Sequence, residues 1–337
     1  QVPVFFPKVI GSACCPSVLP AIKVLIFSFV SFNKCVSISK RSSIRKSNEL
    51  ALIDCGTQHS IDQILHTIEM IGASLEQVRW VIPTHVHLDH ASGAGRLMQI
   101  CPNATIICHP KGFSHLVNPE RLQNSAVRVY GENNFKKNFG TLMPINERKV
   151  IAAKNNQIFN LGGSDLVFID TPGHANHHGS IFDPESGFLF TGDSFGLGYR
   201  EFFENSSMGV PFIMASTSPI GFDPEAWNSS INRMLSYDPT AICLTHFGKY
   251  SNPKKLAIVL KESIQKHTEI ALKEEGKDAV GRRDRIFDHL KHDLIERAIR
   301  SHSLSPEKIY QLLEMDINLN AQGLEIWLQR RAKYIKN

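Results

Sequence analysis

No Cys-x-x-Cys pair occurs in this chain of 337 residues. Its seven cysteines, Cys14, Cys15, Cys35, Cys55, Cys101, Cys108 and Cys243, form an odd set without regular spacing. That argues against a disulfide framework and reads as reduced thiols of an intracellular protein. Most are expected to be small buried hydrophobes. Long apolar runs are missing too. Residues 18–32 are the one candidate for a membrane or signal segment, but the stretch is too short for a span and Pro20 and Lys23 interrupt it. Acidic residues are absent before Glu49, where Lys8, Lys23, Lys34, Lys40, Arg41, Arg45 and Lys46 place +7; the net charge of +5 therefore leaves the rest at −2. So neutral a body gives no support to nucleic-acid binding. Low-complexity segments and solenoid repeats are also lacking.

What is present is an ordinary globular composition, 42% hydrophobic and 20% charged, on a chain long enough to bury a full core. Residues 1–48 form a separate N-terminal region. Residues 37–47, rich in Ser, Lys and Arg, suit a mitochondrial transit peptide as well as a divergent strand region. The location is read as intracellular and cytoplasmic, with mitochondria as the second option. The chain opens on Gln1 rather than Met, which reads as a fragment or a processed start.

From Leu50 the pattern is strand and helix in alternation, the α/β signature. Residues 51–54 and 79–82 are short apolar runs that suit buried strands, and residues 60–71 place Ile61, Ile64, Leu65, Ile68 and Ile71 at helical spacing. Thr105–Cys108, residues 165–170, a hairpin over 180–190 and residues 241–244 complete the strands. Trp80 to His85 and Ala241 to His246 are each a strand emptying into Thr-His, a hint of two related halves. Past Pro253 the chain reads as helical to its end, with segments such as 254–275, 284–300 and 322–335. This divides it into a catalytic domain over 49–252 and a helical C-terminal extension over 253–337. Leu324, Trp327 and Leu328 there are expected to pack in the core, with a homodimer interface as the second reading.

The decisive motif is Thr84-His85-Val86-His87-Leu88-Asp89-His90, directly after a strand. Three imidazoles and a carboxylate on one loop are donors that borderline divalent metals prefer. On an extended loop His85 and His87 point the same way and can share one ion, while Asp89 and His90 turn toward a neighbouring position. His174 after Thr171-Pro172-Gly173, Asp193 after Thr191-Gly192 and His246 after Thr245 each lie at the C-terminal end of a strand, where rigid sheets collect functional residues. His177 and His178 stay open as alternatives to His174, which is preferred.

In this order and spacing, T-H-V-H-L-D-H, P-G-H, T-G-D and T-H-F-G resemble the metallo-β-lactamase superfamily over residues 50–248. The resemblance implies a four-layer αββα sandwich with the site at one edge of two sheets. It implies that His85, His87 and His174 hold one metal, that Asp89, His90 and His246 hold a second, and that Asp193 bridges them. Two divalent ions are implied, zinc first and iron as the other option. The implied reaction is hydrolysis of a small ester, thioester, lactone or similar carbonyl compound, with Asp89 orienting the nucleophile or taking its proton. Glyoxalase II shares a helical C-terminal part, but Val86 stands where it has a third consecutive histidine and the Gly-Cys-Gly-Arg stretch is missing. The nearest reading is a glyoxalase-II-like or lactonase-like branch. The rival reading keeps the fold and carries iron, as a di-iron oxygen-binding or oxygen-reducing protein or a one-iron dioxygenase. The aromatic loop over 195–219 reads as a lid, with Tyr199 and Arg200 as substrate contacts, or as rings packed against the C-terminal helices.

Overall fold

The computed structural model describes residues 49–204, 212–217 and 221–335, together with the backbone of two strands between residues 26 and 40. The first sheet runs β1 (Ile26–Val30), β2 (Lys34–Lys40), β3 (Leu50–Ile53), β4 (Val78–Ile82), β5 (Thr105–Cys108) and β6 (Val150–Ala152), adjacent in that order. Strands β3 to β6 are parallel, and β1 and β2 join antiparallel at the β3 side. The rest of residues 1–48, and with it most of the proposed targeting segment, lies outside the described residues.

The second sheet is built from β7 (Ile158–Leu161), β8 (Ser164–Asp170), β9 (Gly179–Asp183) and β10 (Phe188–Gly192). A small separate pair, β11 (Leu197–Gly198) and β12 (Ile213–Met214), precedes β13 (Ala241–Leu244) and β14 (Lys249–Ser251), which complete it in the order β14-β13-β10-β9-β8-β7. Helix α1 (Ile61–Met70) links β3 to β4, and α2 (Leu88–Ala91) and α3 (Ala94–Ile100) link β4 to β5. Helices α4 (Phe113–Val117), α5 (Glu120–Tyr130) and α6 (Glu132–Phe139) fill the way to β6. Helix α7 (Arg200–Glu204) follows β11, and α8 (Pro224–Leu235) precedes β13. The tail is α9 (Pro253–Leu272), α10 (Arg282–Ile299) and α11 (Pro306–Ile335).

Side chains on a strand alternate between its two faces, so each central strand feeds two cores. Ala51 and Ile53 of β3 and Trp80 and Ile82 of β4 meet Phe159, Leu166, Phe168, Ile181 and Phe190 between the sheets. Leu50, Leu52, Val81 and Ile106 face the other way, onto Ile61, Ile64 and Ile68 of α1 and Leu97 of α3. From the second sheet Ile169, Leu189, Ile242 and Leu244 face outward onto Trp227 of α8 and onto Leu256, Leu260, Leu290, Leu313 and Leu324 of the tail. The result is the four-layer αββα sandwich, its outer face covered by C-terminal helices. Each fully buried Leu or Ile contributes roughly 1.5–3 kcal/mol, so a one-residue slip of β3, buried on both faces, would scramble two cores.

Candidate metal centre

Strands β3, β4 and β5 run in one direction, and so do β8, β10 and β13. Asp54, His85, His174, Asp193 and His246 all follow the C-terminal ends of strands in these two sets. One buried carboxylate joins the two edges. Asp54 Oδ1 accepts from the Thr84 amide at 2.8 Å and the Thr84 hydroxyl at 2.9 Å. Its Oδ2 accepts from the Thr245 hydroxyl at 2.5 Å and faces His90 Nδ1 at 2.9 Å. The two Thr-His exits, one per sheet, are therefore anchored to the same side chain.

The seven residues come together as overlapping groups. His87 Nδ1 lies 2.7 Å from His85 Nε2 and 3.1 Å from His174 Nε2. His246 Nε2 lies 3.4 Å from His90 Nε2 and 3.7 Å from Asp89 Oδ2. Asp193 presents Oδ1 to the second group, 3.3 Å from His90 Nε2 and 3.4 Å from His246 Nε2, and Oδ2 to the first, 3.5 Å from His174 Nε2. Each of the sets His85/His87/His174, His85/His90/Asp193 and Asp89/His90/His246 could hold an ion.

Their outer partners set which nitrogen faces inward. The His174 Nδ1–H donates to the Ser216 carbonyl at 2.8 Å, so Nε2 offers its lone pair to the centre. The Thr84 hydroxyl already donates to Asp54, so it accepts from His85 Nδ1–H at 3.1 Å and leaves His85 Nε2 bare. Asp54 Oδ2 accepts from His90 Nδ1–H, which turns His90 Nε2 toward Asp193. Between His85 and His87 the chain turns Val86 the other way, into the apolar core of the first sheet and its helices. The residue that departs from the glyoxalase II pattern therefore leaves the cluster untouched.

Two glycines permit the close approach. Gly173 has φ +136°, and a Cβ there would run into the Trp227 main chain. Gly192 has φ +48°, and its Cβ would strike the Thr84 hydroxyl and His178 Nε2. The Gly173 conformation suits only glycine, and at Gly192 the close approach leaves no room for a side chain. Trp227 Nε1 donates to the Ser194 carbonyl at 2.7 Å, which fixes the turn carrying Asp193, and the indole packs edge-on to His174.

Electrostatics favour a cation. Burial holds His85, His87 and His174 below the usual histidine range, which keeps them neutral, the form a metal requires. Burial would depress His90 as well, but the carboxylates of Asp193, Asp54 and Asp89 outweigh it and raise His90 well above that range. Asp193 is the mirror image: burial pushes its carboxyl up, and His90, His246 and His174 pull it well below the carboxylate range. Its Oδ1 is buried with no hydrogen bond. A buried anion so placed, ringed by imidazole nitrogens and without sulfur, fits borderline divalent ions such as zinc or iron.

The other histidines of the second stretch have different tasks. His178 is fully buried; the Asp193 amide donates to its Nε2 at 3.3 Å and its Nδ1 lies 2.9 Å from the Thr171 hydroxyl, so it positions the Asp193 turn. The Val86 amide donates to His177 Nδ1 at 3.5 Å, and burial lowers His177 to about 4. Asp54 is the functional residue the sequence reading missed; an acid ending an otherwise apolar strand was the available signal. Tyr199 is buried, its hydroxyl donating to Asp316 and its ring packed on Phe202. Phe195, Phe202 and Phe212 join the same core. The described rings of the aromatic loop are packed between sheet and tail, and Tyr199 lies among them. Phe203 lies outside the residues whose side chains are described. Arg200 begins α7 and is exposed.

Residues 43–246 match the family profile of the metallo-beta-lactamase superfamily. The chain belongs to the metallo-β-lactamase superfamily. Among the proteins similar to it, a metallo-beta-lactamase fold-containing protein of Sulfurisphaera tokodaii is 29% identical over 220 residues, 64% of this chain and 74% of the relative. An N-acyl homoserine lactonase of Bacillus thuringiensis is 25% identical over 206 residues, 60% of this chain and 68% of the relative. A metallo-beta-lactamase family protein of Thermus thermophilus has the same fold, with a TM-score of 0.60 at 17% identity over 92% of this chain and 93% of its own. Among the described residues, no helix is long and apolar enough to cross a membrane.

Proposed function

We propose that this chain is a metal-dependent hydrolase acting on a small ester, thioester or lactone. The observation that carries the reading is Asp193, a buried carboxylate with one oxygen toward each of two groups of imidazole nitrogens. His85, His87 and His174 would hold one divalent ion, Asp89, His90 and His246 a second, and Asp193 both. Ions bound there supply Lewis acidity toward a carbonyl oxygen and a hydroxide nucleophile at neutral pH.

The chain's own residues divide the remaining work. Asp193 and the imidazoles of His85, His90 and His174 are buried, whereas His87 is half-buried and the side chains of Asp89 and His246 are 28% and 14% exposed, so substrate enters across these three. Asp89 is the carboxylate of the set within reach of solvent, and it orients the attacking water and takes its proton. Asp54, withdrawn behind His90 and both threonines, holds the geometry and touches no substrate. Arg200, exposed at the start of α7, is the remaining substrate contact suggested by the sequence. Kinship with a lactonase supports a cyclic ester among the first substrates.

The test is hydrolysis of an aryl ester, a thioester and a homoserine lactone by zinc-loaded protein beside His85→Ala and Asp89→Asn. Turnover of one class, lost in His85→Ala and slowed by about 100-fold or more in Asp89→Asn, supports the reading. Equal turnover by His85→Ala contradicts it.

A further inference from the structure

We propose that Asn320, on the last helix, is a positioning residue for the metal centre: it fixes the Ser216 carbonyl that orients His174. The inference rests on the reading of His174 as a metal ligand. Asn320 is 2% exposed, and its amide meets complementary partners on both sides. Its Oδ1 accepts from the Thr217 amide at 2.7 Å and from the Thr217 hydroxyl at 3.1 Å. Its Nδ2 donates to the Ala215 carbonyl at 3.1 Å, and its main-chain carbonyl accepts from the Thr217 hydroxyl at 3.0 Å. One residue thereby grips the chain immediately before and immediately after Ser216. The carbonyl between them is left one direction, toward His174 Nδ1–H at 2.8 Å.

The other tail helices close on the same short segment. The Ala215 amide donates to Ser263 Oγ of α9 at 3.0 Å, and Arg297 Nη1 of α10 donates to that oxygen at 3.2 Å. Helices α9 and α11 thus bond directly to residues 215–217, more than a hundred positions from Asn320 in the chain, and α10 supports them through Ser263. An apolar side chain of similar size would fill the core between α11 and this segment equally well. It would not hold Ala215 and Thr217 at once. Groups that orient a histidine ligand typically change metal affinity 10–100-fold when removed, and the tail supplies that orientation from a distance.

Chelator competition with zinc, and cobalt absorption spectra, should be recorded on full-length wild type, Asn320→Ala, Thr217→Val, Leu313→Ala and His174→Ala. Asn320→Ala is expected to weaken one of the bound ions by about 10-fold or more and to alter the cobalt spectrum. Thr217→Val, which keeps the amide bond but loses the hydroxyl, should shift affinity in the same direction by less. Leu313→Ala truncates a core contact of the same helix with no bond to residues 215–217, so it should lower the melting temperature and leave affinity unchanged. Wild-type affinity in Asn320→Ala, or equal affinity losses in Asn320→Ala and Leu313→Ala at equal loss of stability, would overturn the positioning role. Should Asn320→Ala fail to fold, unchanged affinity in Thr217→Val overturns it instead. If His174→Ala itself binds metal like the wild type, the ligand assignment falls first and the positioning role falls with it.

Discussion

The two sheets furnish the candidate metal centre in opposite ways. The first sheet delivers His85, His87, Asp89 and His90 from a single loop after β4, where α2 starts at Leu88 and the chain's own turn sets the spacing. The second sheet delivers His174, Asp193 and His246 from three separate strand ends, and each is placed by contacts from elsewhere. Trp227 and His178 hold the Asp193 turn, Ser216 orients His174, and Asp54 of the first sheet anchors Thr245 beside His246. One half is positioned by covalent proximity and the other by tertiary packing. The second half should therefore be the one that distant substitutions loosen.

The largest effect is expected where the halves meet. Asp193→Ala removes the carboxylate that faces both groups, so elemental analysis should show metal loss from both and activity should vanish. Full metal and full turnover in that variant would break the picture. Gly173→Ala comes next. The added methyl meets the Trp227 backbone at a φ that L-residues avoid, and denaturant unfolding should show roughly 3–5 kcal/mol lost.

A smaller effect should follow from Trp227→Phe, which keeps the packing on His174 but leaves the buried Ser194 carbonyl unpaired, for about 1–3 kcal/mol in the same assay. An equally stable variant with unaltered metal affinity would show that the Asp193 turn holds itself.

The smallest effect concerns Asp170, at the end of β8. The hydrogen bond from His109, against burial, lowers its carboxyl below the ordinary aspartate value of 3.8. A depressed carboxyl contributes stability above that value and loses it as pH falls toward the folded value. The melting-temperature gap between wild type and Asp170→Asn should therefore be widest near neutrality and close below about pH 4.

The same asymmetry governs what could be read without a structure. The His85 to His90 loop was legible because a dense local motif carries its own geometry, and the strands feeding it were legible as apolar runs. His174, Asp193 and His246 were legible only as a set, in the order the family resemblance supplied. Asp54 was not, because a single acid after an apolar strand looks like any strand end until its partners, Thr84, His90 and Thr245, are brought around it. What the first half of α11 packs against was hidden for a related reason. Ile309, Leu313, Ile317 and Ala321 form a single buried stripe among polar neighbours, and only the packed tail shows what they face. Asn320 sits in that stretch.

The most direct test of the central claim is the metal content of the full-length protein after loading with zinc and removal of the excess, by elemental mass spectrometry. About two ions per chain are expected, falling when either His85 or His246 is replaced by Ala. A well-folded protein that retains no zinc or iron, or a His246→Ala variant that retains both ions, would contradict it.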